Sequence, residues 1–423
     1  MAEPGPELSP EERAMLGGER GRAAATAMRI LVRTARAMGA PRLVEISRAH
    51  VDGCLYHGRA GLDFAERLVA DGARVSVPTT LNVGLLDLLH PGLVRTDAET
   101  GEAARRLMDA YVAMGCRPTW TCAPYQLPDA RPRFGEQVAW AESNAIVFAN
   151  SVLGARTERY GDFLDVCAAI AGRAPYVGLH TDEGRRARVA VRLEGISDRL
   201  LASDVLYPVL GHLVGRAAGS RVPAIVGLPP GTSEDRLKAL GAAAASSGSV
   251  GMFHAVGVTP EAPTLEAATG GAPVPEVVVT PERLRRARDE LTTAAGDRLA
   301  AVAVGTPHAS LAELERLAAL LEGVRVAAGV GFYVNTSRAA LAEAERRGAA
   351  DALARAGVRV VTDTCTYLAP VIRETGGAVM TDSAKWAWYA PGNLGVEVVF
   401  GSLEECVRSA AAGRVVRDEA LWS

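Results

Sequence analysis

The sequence has few aromatic residues, no long apolar run and almost no excess charge. Phe, Trp and Tyr make up 5% of the 423 residues, and the formal net charge is −3. A chain this close to neutral has no strongly basic surface, which argues against nucleic acid as a partner. No run of about 18 uncharged apolar residues occurs, so we expect no transmembrane helix. Since 48% of the residues are hydrophobic, an ordinary globular protein is predicted.

The sequence also lacks an export signal and paired cysteines. Residues 1–12 are acidic and contain proline, without the basic and apolar regions of a signal peptide. We therefore expect a cytoplasmic protein, in which the six cysteines are thiols or ligands and not disulfides. No CxxC pair is present, which argues against a zinc ribbon or a thioredoxin-type site. Cys167 and Cys406 lie in apolar helical stretches and are interpreted as packed core residues.

Several common catalytic motifs are missing as well. The chain has no phosphate-binding Gly-x-x-x-x-Gly-Lys-Ser/Thr loop, no Gly-x-Ser-x-Gly nucleophile elbow and no His-Glu-x-x-His zinc motif. Gly329 and Gly331 form half of a dinucleotide fingerprint, but Val334 stands where the third glycine belongs. A nicotinamide oxidoreductase is therefore a disfavoured alternative.

Short apolar runs alternate with helical patterns along most of the chain. Strands are predicted at residues 43–46, 75–77, 224–228, 299–304, 324–328 and 358–362, with a turn at residues 78–80. A helix is predicted over residues 22–38, and Ser9 is predicted to cap an earlier helix that begins at Pro10. This alternation predicts an α/β fold with parallel sheets covered by helices on both faces. We expect the site at the carboxyl ends of the strands.

Polar, glycine-containing segments follow several of these strands. Cys122 and Cys365 each come directly after a threonine in such a segment, and the polar groups of a threonine can hydrogen-bond a metal-bound thiolate. A cluster of Ser, Thr, Asn and Asp after a strand also serves as a helix N-cap. The residues alone therefore leave metal ligation and helix capping open for each segment.

In their order along the chain, these segments resemble the large, catalytic component of the aconitase X family, a branch of the aconitase superfamily. They run from about residue 10 to the C-terminus. The matching segments are His50-Val51-Asp52-Gly53, Pro78-Thr79-Thr80-Leu81-Asn82, Thr121-Cys122-Ala123-Pro124-Tyr125, Trp140-Ala141-Glu142-Ser143-Asn144, Asn150-Ser151-Val152-Leu153-Gly154-Ala155-Arg156, His254-Ala255-Val256-Gly257-Val258-Thr259-Pro260-Glu261, Thr306-Pro307-His308, Asp363-Thr364-Cys365 and Ser383-Ala384-Lys385.

The resemblance implies an aconitase-like α/β fold in two or three lobes, roughly residues 21–215, 216–356 and 357–423, after an N-terminal segment of residues 1–20. It implies a hydro-lyase that removes water from a small hydroxy acid, with iron or an iron–sulfur cluster as Lewis acid. The known substrates of the family are cis-3-hydroxy-L-proline and (R)-5-phosphomevalonate. The family's small swivelling domain, fused in some members, is not found in this sequence, so a separate small subunit is expected as partner.

The resemblance also implies the metal ligands. Two of the three cluster cysteines of the phosphomevalonate branch correspond to Cys122 and Cys365, and the third corresponds to Thr306. A threonine hydroxyl is a poor iron ligand beside a thiolate. This departure disfavours a cubane cluster and favours the hydroxyproline branch, with a smaller cluster or a mononuclear iron. A non-catalytic subunit that has lost its cluster is the alternative of another class.

The family's substrate contacts carry over to one set of positions. Lys385, Glu142 and Ser143 are the catalytic candidates: Lys385 is expected to stabilise enediolate charge and Glu142 to transfer a proton. Asn82 and Ser143 are expected to orient the substrate carboxylate. A packed surface position for Lys385, and a helix-capping role for Glu142, are the alternatives. The full predicted set is Gly53, Cys54, Leu55, Asn82, Glu142, Ser143 and Lys385.

Overall fold

The computed structural model describes residues 5–374 and 376–422, which divide into two compact units. The first unit holds residues 5–86 and 96–186, and the second holds residues 87–95 and 187–422. The predicted N-terminal segment is therefore described from residue 5 onward, and residues 1–4 and 423 of the predicted ranges lie outside the described residues. No helix in the described part of the chain has both the length and the apolar character that a membrane crossing requires.

The first unit contains a small parallel sheet packed with helices. Its helices are α1 (Pro10–Gly17), α2 (Arg22–Ala37), α3 (Arg59–Ala70), α4 (Ala98–Ala113), α5 (Ser143–Ser151) and α6 (Leu164–Ala171). Its strands are β1 (Leu43–Glu45), β2 (Ala49–Val51), β3 (Thr79–Leu81), β4 (Ala139–Trp140) and β5 (Arg173–Pro175). Strands β3, β2 and β4 form a parallel sheet in that order, while β1 and β5 pair antiparallel. The carboxyl ends of three neighbouring strands therefore lie along one sheet edge.

The second unit contains two larger parallel sheets. Its helices are α7 (Asp198–Leu201), α8 (Leu206–Ala218), α9 (Glu234–Gly248), α10 (Leu265–Thr269), α11 (Pro281–Glu290), α12 (Leu311–Leu320), α13 (Arg338–Arg346), α14 (Ala349–Ala356), α15 (Ala384–Leu394) and α16 (Leu403–Ala412). Its strands are β6 (Val189–Leu193), β7 (Pro223–Val226), β8 (His254–Ala255), β9 (Glu276–Val279), β10 (Leu299–Ala309), β11 (Gly331–Thr336), β12 (Arg359–Val361), β13 (Ala378–Thr381) and β14 (Val398–Phe400). The sheet orders are β8-β7-β6-β9 and β12-β11-β10-β13-β14, with every pair parallel. The predicted α/β class is confirmed.

The predicted start of the first helix is confirmed in detail. The Ser9 side chain accepts a hydrogen bond from the Glu12 amide, and the Glu12 carboxylate accepts one from the Ser9 amide. Such a reciprocal cap satisfies two helix N–H groups that would otherwise lack partners. Helix α1 ends where Gly18 adopts a left-handed conformation with φ of 94°. Local sequence signals therefore set both ends of this helix.

The strand predicted at residues 75–77 is wrong. The amide of Val75 donates to Met114 O and the amide of Ser76 donates to Ala169 O, each at 2.9 Å, so the segment pairs with no single neighbour. The strand β3 begins instead at Thr79, inside the segment predicted as a turn, and pairs with β2 over three residues. Val75 and Val77 are only half-buried, and apolar residues form a strand only where successive backbone bonds go to one partner.

The strand predicted at residues 324–328 is also wrong, for the same reason. The amide of Val326 donates to Ala356 O and that of Ala327 to Ala410 O, each at 2.9 Å. The neighbouring strand of the sheet is β11, which begins at Gly331 in the segment that resembled a dinucleotide fingerprint. The glycines at this place therefore precede and open a buried strand.

Candidate functional site

Three sets of predicted site residues in the first unit follow three adjacent strands. Asp52 and Gly53 follow β2, Asn82 follows β3, and Glu142 comes two residues after β4. The segment His50-Val51-Asp52-Gly53, which resembles the family, includes part of the central strand β2. Because β3, β2 and β4 are parallel, these side chains share one edge of the sheet. The Asn82 side-chain amide donates a hydrogen bond to Asp52 Oδ1.

A buried carboxylate holds the backbone at this edge. Asp165, in the first turn of α6, accepts hydrogen bonds at Oδ2 from the amides of Asp52 (2.8 Å) and Gly53 (3.2 Å). Its Oδ1 accepts from the Val166 amide at 2.6 Å. Burial raises the pKa of Asp165 to about 6, and the backbone donors oppose that rise. Asp165 is not among the residues predicted from the sequence, where it reads only as an acidic residue at a helix start.

Gly53 lies against Tyr111 of α4 so closely that no side chain fits. A Cβ placed on Gly53 would lie 2.5 Å from the Tyr111 hydroxyl oxygen. Tyr111 is fully buried, and its hydroxyl has no hydrogen-bond partner among the described residues. The glycine therefore allows the loop after β2 to approach the hydroxyl end of the tyrosine.

We expect Gly53→Ala to lower the free energy of unfolding by about 1–3 kcal/mol, because the added methyl overpacks this contact. Urea denaturation followed by circular dichroism measures the change. Gly61→Ala is the matched control, since Gly61 lies within α3 and nothing lies within 4 Å of its Cβ position. That control should keep or slightly raise the stability. Equal stability of Gly53→Ala and the wild type would show that the loop yields to the methyl.

Cys54 and Leu55 continue the loop. The Cys54 thiol is fully buried and lies 3.3 Å from Asn82 O and 3.8 Å from Val51 O. Burial raises the pKa of this thiol well above its usual value, with the charge of Asp52 adding to the effect. A thiol that stays protonated is a poor nucleophile and holds the Asn82 backbone in place. Leu55 is half-buried.

Glu142 closes the amino end of helix α5. Its carboxylate accepts hydrogen bonds from the amides of Asn144 (2.9 Å) and Ala145 (3.0 Å). The Ser143 hydroxyl donates to the other carboxylate oxygen at 3.3 Å. Glu142 adopts a left-handed backbone with φ of 70°, which costs a residue other than glycine roughly 1–3 kcal/mol. The capping geometry is thus present, and proton transfer by Glu142 stays a prediction.

Cys122 lies beside the same edge. The amide of Thr121 donates to Leu81 O at 3.2 Å, which aligns this segment with the end of β3. The Cys122 carbonyl accepts from the Asn144 side-chain amide at 2.9 Å, and Tyr125 donates its hydroxyl to Asn144 Oδ1 at 2.6 Å. Cys122 is buried. Helix α5 therefore supports both the Glu142 carboxylate and the Cys122 main chain.

In the second unit, His308 and Cys365 form a pair of buried donors. One ligand atom of each lies within 4.8 Å of the other. His308 is near the end of β10, and its Nε2 lies 3.1 Å from Thr364 O. Because a carbonyl only accepts, Nε2 carries the proton and Nδ1 carries the lone pair. An imidazole and a thiol side by side are donors suited to iron or another transition metal. His308 is not among the ligands predicted from the sequence.

Two carboxylates brace the segment that carries Cys365. Asp87 accepts hydrogen bonds from the Thr362 amide (2.9 Å) and hydroxyl (3.0 Å). Asp363 pairs with Arg338 at 2.6 and 2.7 Å and accepts the Leu88 amide at 3.0 Å. Asp363 itself has φ of 61°. The unusual backbone before Cys365 is thus held by contacts on both sides.

Thr306, at the family's third cysteine position, belongs to a buried hydrogen-bond network. Its hydroxyl oxygen accepts from the Asn335 side chain at 3.1 Å. The same amide donates to Thr366 Oγ1 at 3.1 Å, and the Trp386 indole donates to that oxygen at 3.0 Å. A Cβ on Gly305, which has φ of 78°, would lie 2.4 Å from Asn335 O. The network packs Thr306 against β11 and α15.

Lys385 lies in the first turn of α15, directly after the Ser383–Ala384 cap. It is 3% exposed, so the alternative of a surface lysine does not hold. Its ammonium lies 6.0 Å from the centre of the Tyr367 ring. Lys385 is therefore a buried cation at the amino end of a helix, and its contact with the substrate stays a prediction.

Comparison with known proteins gives a consistent result along the chain. Sequence models described as the first, second and third domains of aconitase X match residues 5–183, 187–289 and 299–412. A cis-3-hydroxy-L-proline dehydratase of Pseudomonas aeruginosa is 48% identical over 422 residues, covering 99% of this chain and 72% of that protein. A phosphomevalonate dehydratase large subunit of Methanothermobacter thermautotrophicus is 40% identical over 406 residues, covering 95% of this chain and 98% of that protein.

Similarity to a solved structure extends over nearly the whole fold. The crystal structure of Thermococcus kodakaraensis aconitase X in a holo-form superposes with a TM-score of 0.85 at 34% sequence identity. The match covers 96% of this chain and 100% of that one.

Proposed function

The chain belongs to the aconitase X family, and from this premise we propose that it is a hydro-lyase that dehydrates a small hydroxy acid, with cis-3-hydroxy-L-proline as the substrate. The observation that carries the proposal is the 48% identity, over almost the full chain, to a dehydratase of that compound. A second hydroxyproline dehydratase, from Hypocrea jecorina, is 46% identical over 96% of this chain. The phosphomevalonate dehydratase large subunit is the alternative, at 40% identity.

The charges at the sheet edge of the first unit support the smaller substrate. The charges of Glu142 and Asp162 raise the pKa of Asp52, so three acidic side chains lie close together here. A phosphate dianion is repelled more strongly by acidic side chains than an amino acid, in which a cationic ring nitrogen offsets the single carboxylate. This distribution of charge favours cis-3-hydroxy-L-proline over (R)-5-phosphomevalonate.

We infer that Cys122, His308 and Cys365 are the residues that hold the metal. His308 and Cys365 fit this role in the second unit, because both are buried and their ligand atoms lie within 4.8 Å. Cys122 is included because the family resemblance implies it as a ligand, and because the Asn144 side chain donates a hydrogen bond to its carbonyl and so holds its main chain. Imidazole and thiolate together are ligands of both mononuclear iron and small iron–sulfur clusters. Thr306 is replaced as third ligand by His308 in this proposal.

Dehydration breaks a C–H bond next to the carboxylate and a C–O bond on the neighbouring carbon, and the proton and hydroxide leave as water. Iron, when bound, supplies a Lewis acid for the departing hydroxyl. The chain's own residues have other tasks. The buried Lys385 ammonium stabilises the enediolate charge, Asn82 and Ser143 orient the carboxylate, and Glu142 is the candidate for holding the transferred proton. A separate small subunit is proposed as partner, by the same family resemblance.

The proposal is tested with anaerobically purified protein, alone and with a small subunit encoded next to it. Each preparation is given cis-3-hydroxy-L-proline and (R)-5-phosphomevalonate, and the unsaturated product is detected by NMR while iron and sulfide are measured. We expect iron in the protein and dehydration of hydroxyproline. Turnover of phosphomevalonate alone would reverse the choice of substrate. Iron-loaded protein that dehydrates neither compound would refute the hydro-lyase, and a colourless, iron-free active protein would refute the metal.

A further inference from the structure

The hydrogen bond between Asp52 and Asn82 leaves one polar atom unsatisfied. The Asn82 amide nitrogen donates to Asp52 Oδ1, while Asn82 Oδ1 has no partner among the described residues. Asn82 is 3% exposed, so water does not readily replace the missing partner. A buried carbonyl without a donor costs about 1–3 kcal/mol. The arrangement therefore lacks one hydrogen-bond donor.

Acidic neighbours surround Asp52. Glu142 follows β4, Asp165 belongs to α6, and Asp162 lies just before that helix. Burial first, and the charge of Glu142 second, raise the pKa of Asp52 to about 8, although the Asn82 hydrogen bond lowers it. Other titratable groups face this cluster: the side chains of Cys54, Tyr111, Cys116 and Cys167, whose pKa values are raised by burial, and His57, which lies near Asp162. These effects favour the protonated carboxylic acid form of Asp52 at neutral pH.

A protonated Asp52 supplies the missing donor. Its O–H can donate to Asn82 Oδ1 once the amide rotates by 180°, which exchanges the oxygen and the nitrogen and keeps the shape of the side chain. The main chain on both sides is fixed: Asp165 holds the Asp52 amide at 2.8 Å, and the Asn82 amide donates to Val51 O at 2.9 Å. The side-chain amide is thus the part of this pair that can change orientation.

We propose that Asp52 is a positioning residue. When protonated, it donates a hydrogen bond to Asn82 Oδ1 and so orients the side-chain amide, and the NH₂ group of Asn82 then donates to the carboxylate of the substrate. This inference rests on the proposed function, because it takes a hydroxy acid as the ligand. With Asp52 protonated, Asn82 Oδ1 is paired and Nδ2 takes the position that Oδ1 occupies otherwise. With Asp52 ionised, the amide presents its oxygen there, and a second negative charge faces the substrate carboxylate. Only the protonated state favours binding of the anion.

The pH dependence of KM tests the inference. In the wild type, KM for cis-3-hydroxy-L-proline should rise above about pH 8, approaching tenfold per pH unit, because one proton must be bound before the substrate. The D52N variant keeps a neutral donor to Asn82 Oδ1 at every pH, so its KM should lack this inflection. The ring nitrogen of the substrate titrates alike with both proteins and cancels in their ratio.

Asp162→Asn is the matched control, because it removes a neighbouring acid that shares no hydrogen bond with Asn82. It should keep the inflection and move it to lower pH, since one charge that raises the pKa of Asp52 is gone. Asp52→Ala removes the donor and should raise KM at all pH values. A D52N profile that keeps the wild-type inflection would overturn the inference.

Calorimetric binding of L-proline separates this inference from the proposed function, because L-proline has the carboxylate and ring nitrogen without the hydroxyl. Above about pH 8, the wild type should take up a proton on binding, measured from the enthalpy in buffers of different ionisation heat, and D52N should take up none. If this difference in proton uptake is found but the protein shows no dehydration, the role of Asp52 is supported and the proposed hydro-lyase activity is refuted. Equal uptake in an active enzyme, or no binding of L-proline to either protein, overturns the role of Asp52.

Discussion

Cys365→Ser is expected to remove the iron from the purified protein and to abolish dehydration. A serine hydroxyl replaces a thiolate beside His308, and it binds iron far more weakly. Loss of a residue that merely supports a ligand costs 10–100-fold in metal affinity, so loss of the ligand itself should cost at least about 100-fold. Iron analysis and visible absorption of anaerobically prepared protein measure the change. Cys122→Ser is expected to behave in the same way.

Two other cysteines provide controls of matching chemistry. Cys167 lies in α6 and Cys406 in α16, and both are fully buried in helices, as the sequence predicts. Cys167→Ala and Cys406→Ala should therefore keep the iron, with at most a modest loss of stability for the missing sulfur. If Cys365→Ser retained full iron content while folded, the assignment of Cys365 as a ligand would be rejected. Loss of iron from the two controls would instead point to general destabilisation.

Lys385→Met is expected to lower kcat by about 100–1,000-fold, the size found when one preorganised donor to a developing anion is removed. Methionine fills most of the volume of the lysine and removes only the charge, so the fold should be retained. Initial rates at saturating substrate measure kcat, and circular dichroism checks the fold. The effect should fall on kcat more than on KM, because enediolate charge develops in the transition state.

A second buried lysine serves as the contrast. Lys238 of α9 pairs with Asp235 at 2.9 Å and with Glu313, and these acids raise its pKa above the usual value although burial opposes them. Lys238→Met leaves two carboxylates without their cation, which should cost about 3–5 kcal/mol of stability. The fraction of the Lys238→Met variant that remains folded should have the kcat of the wild type. A Lys385→Met variant that loses stability while keeping kcat would show that Lys385 serves packing instead.

The sequence predicts best where the signal is local. The cap at Ser9 involves neighbours three residues apart, and the apolar period of α2 requires only the helix itself, so both appear as predicted. The strand at residues 75–77 fails because pairing depends on Met114 and Ala169, which are distant in the chain. The same limit applies at residues 324–328. Apolar composition does not by itself define a strand, because only the fold decides which backbone groups form a ladder.

Some residues of the candidate site can also be recognised from the local sequence, and others only from the fold. Cys122, Cys365 and the polar residues after the strands are recognisable from segments of a few residues, and these segments also carry the family resemblance. His308 lies in one of these segments, but its role as a ligand is not evident from the sequence, and Asp165 lies in none of them, because a histidine in a strand and an aspartate at a helix start have common structural roles. Asp165 acts on the amide of Asp52, which lies 113 positions away. Nothing in either local sequence indicates that contact.

The amino-acid sequence alone determined the class of fold, the order of its segments and the family to which they correspond. Folding decided which groups carry protons. Burial and the charge of Glu142 raise the pKa of Asp52 to about 8, and the proton of His308 is on Nε2 because Thr364 O accepts a hydrogen bond from it. The physical reason is that an ionisation or a tautomer depends on dielectric surroundings and on partners a few ångströms away, which chain order does not specify.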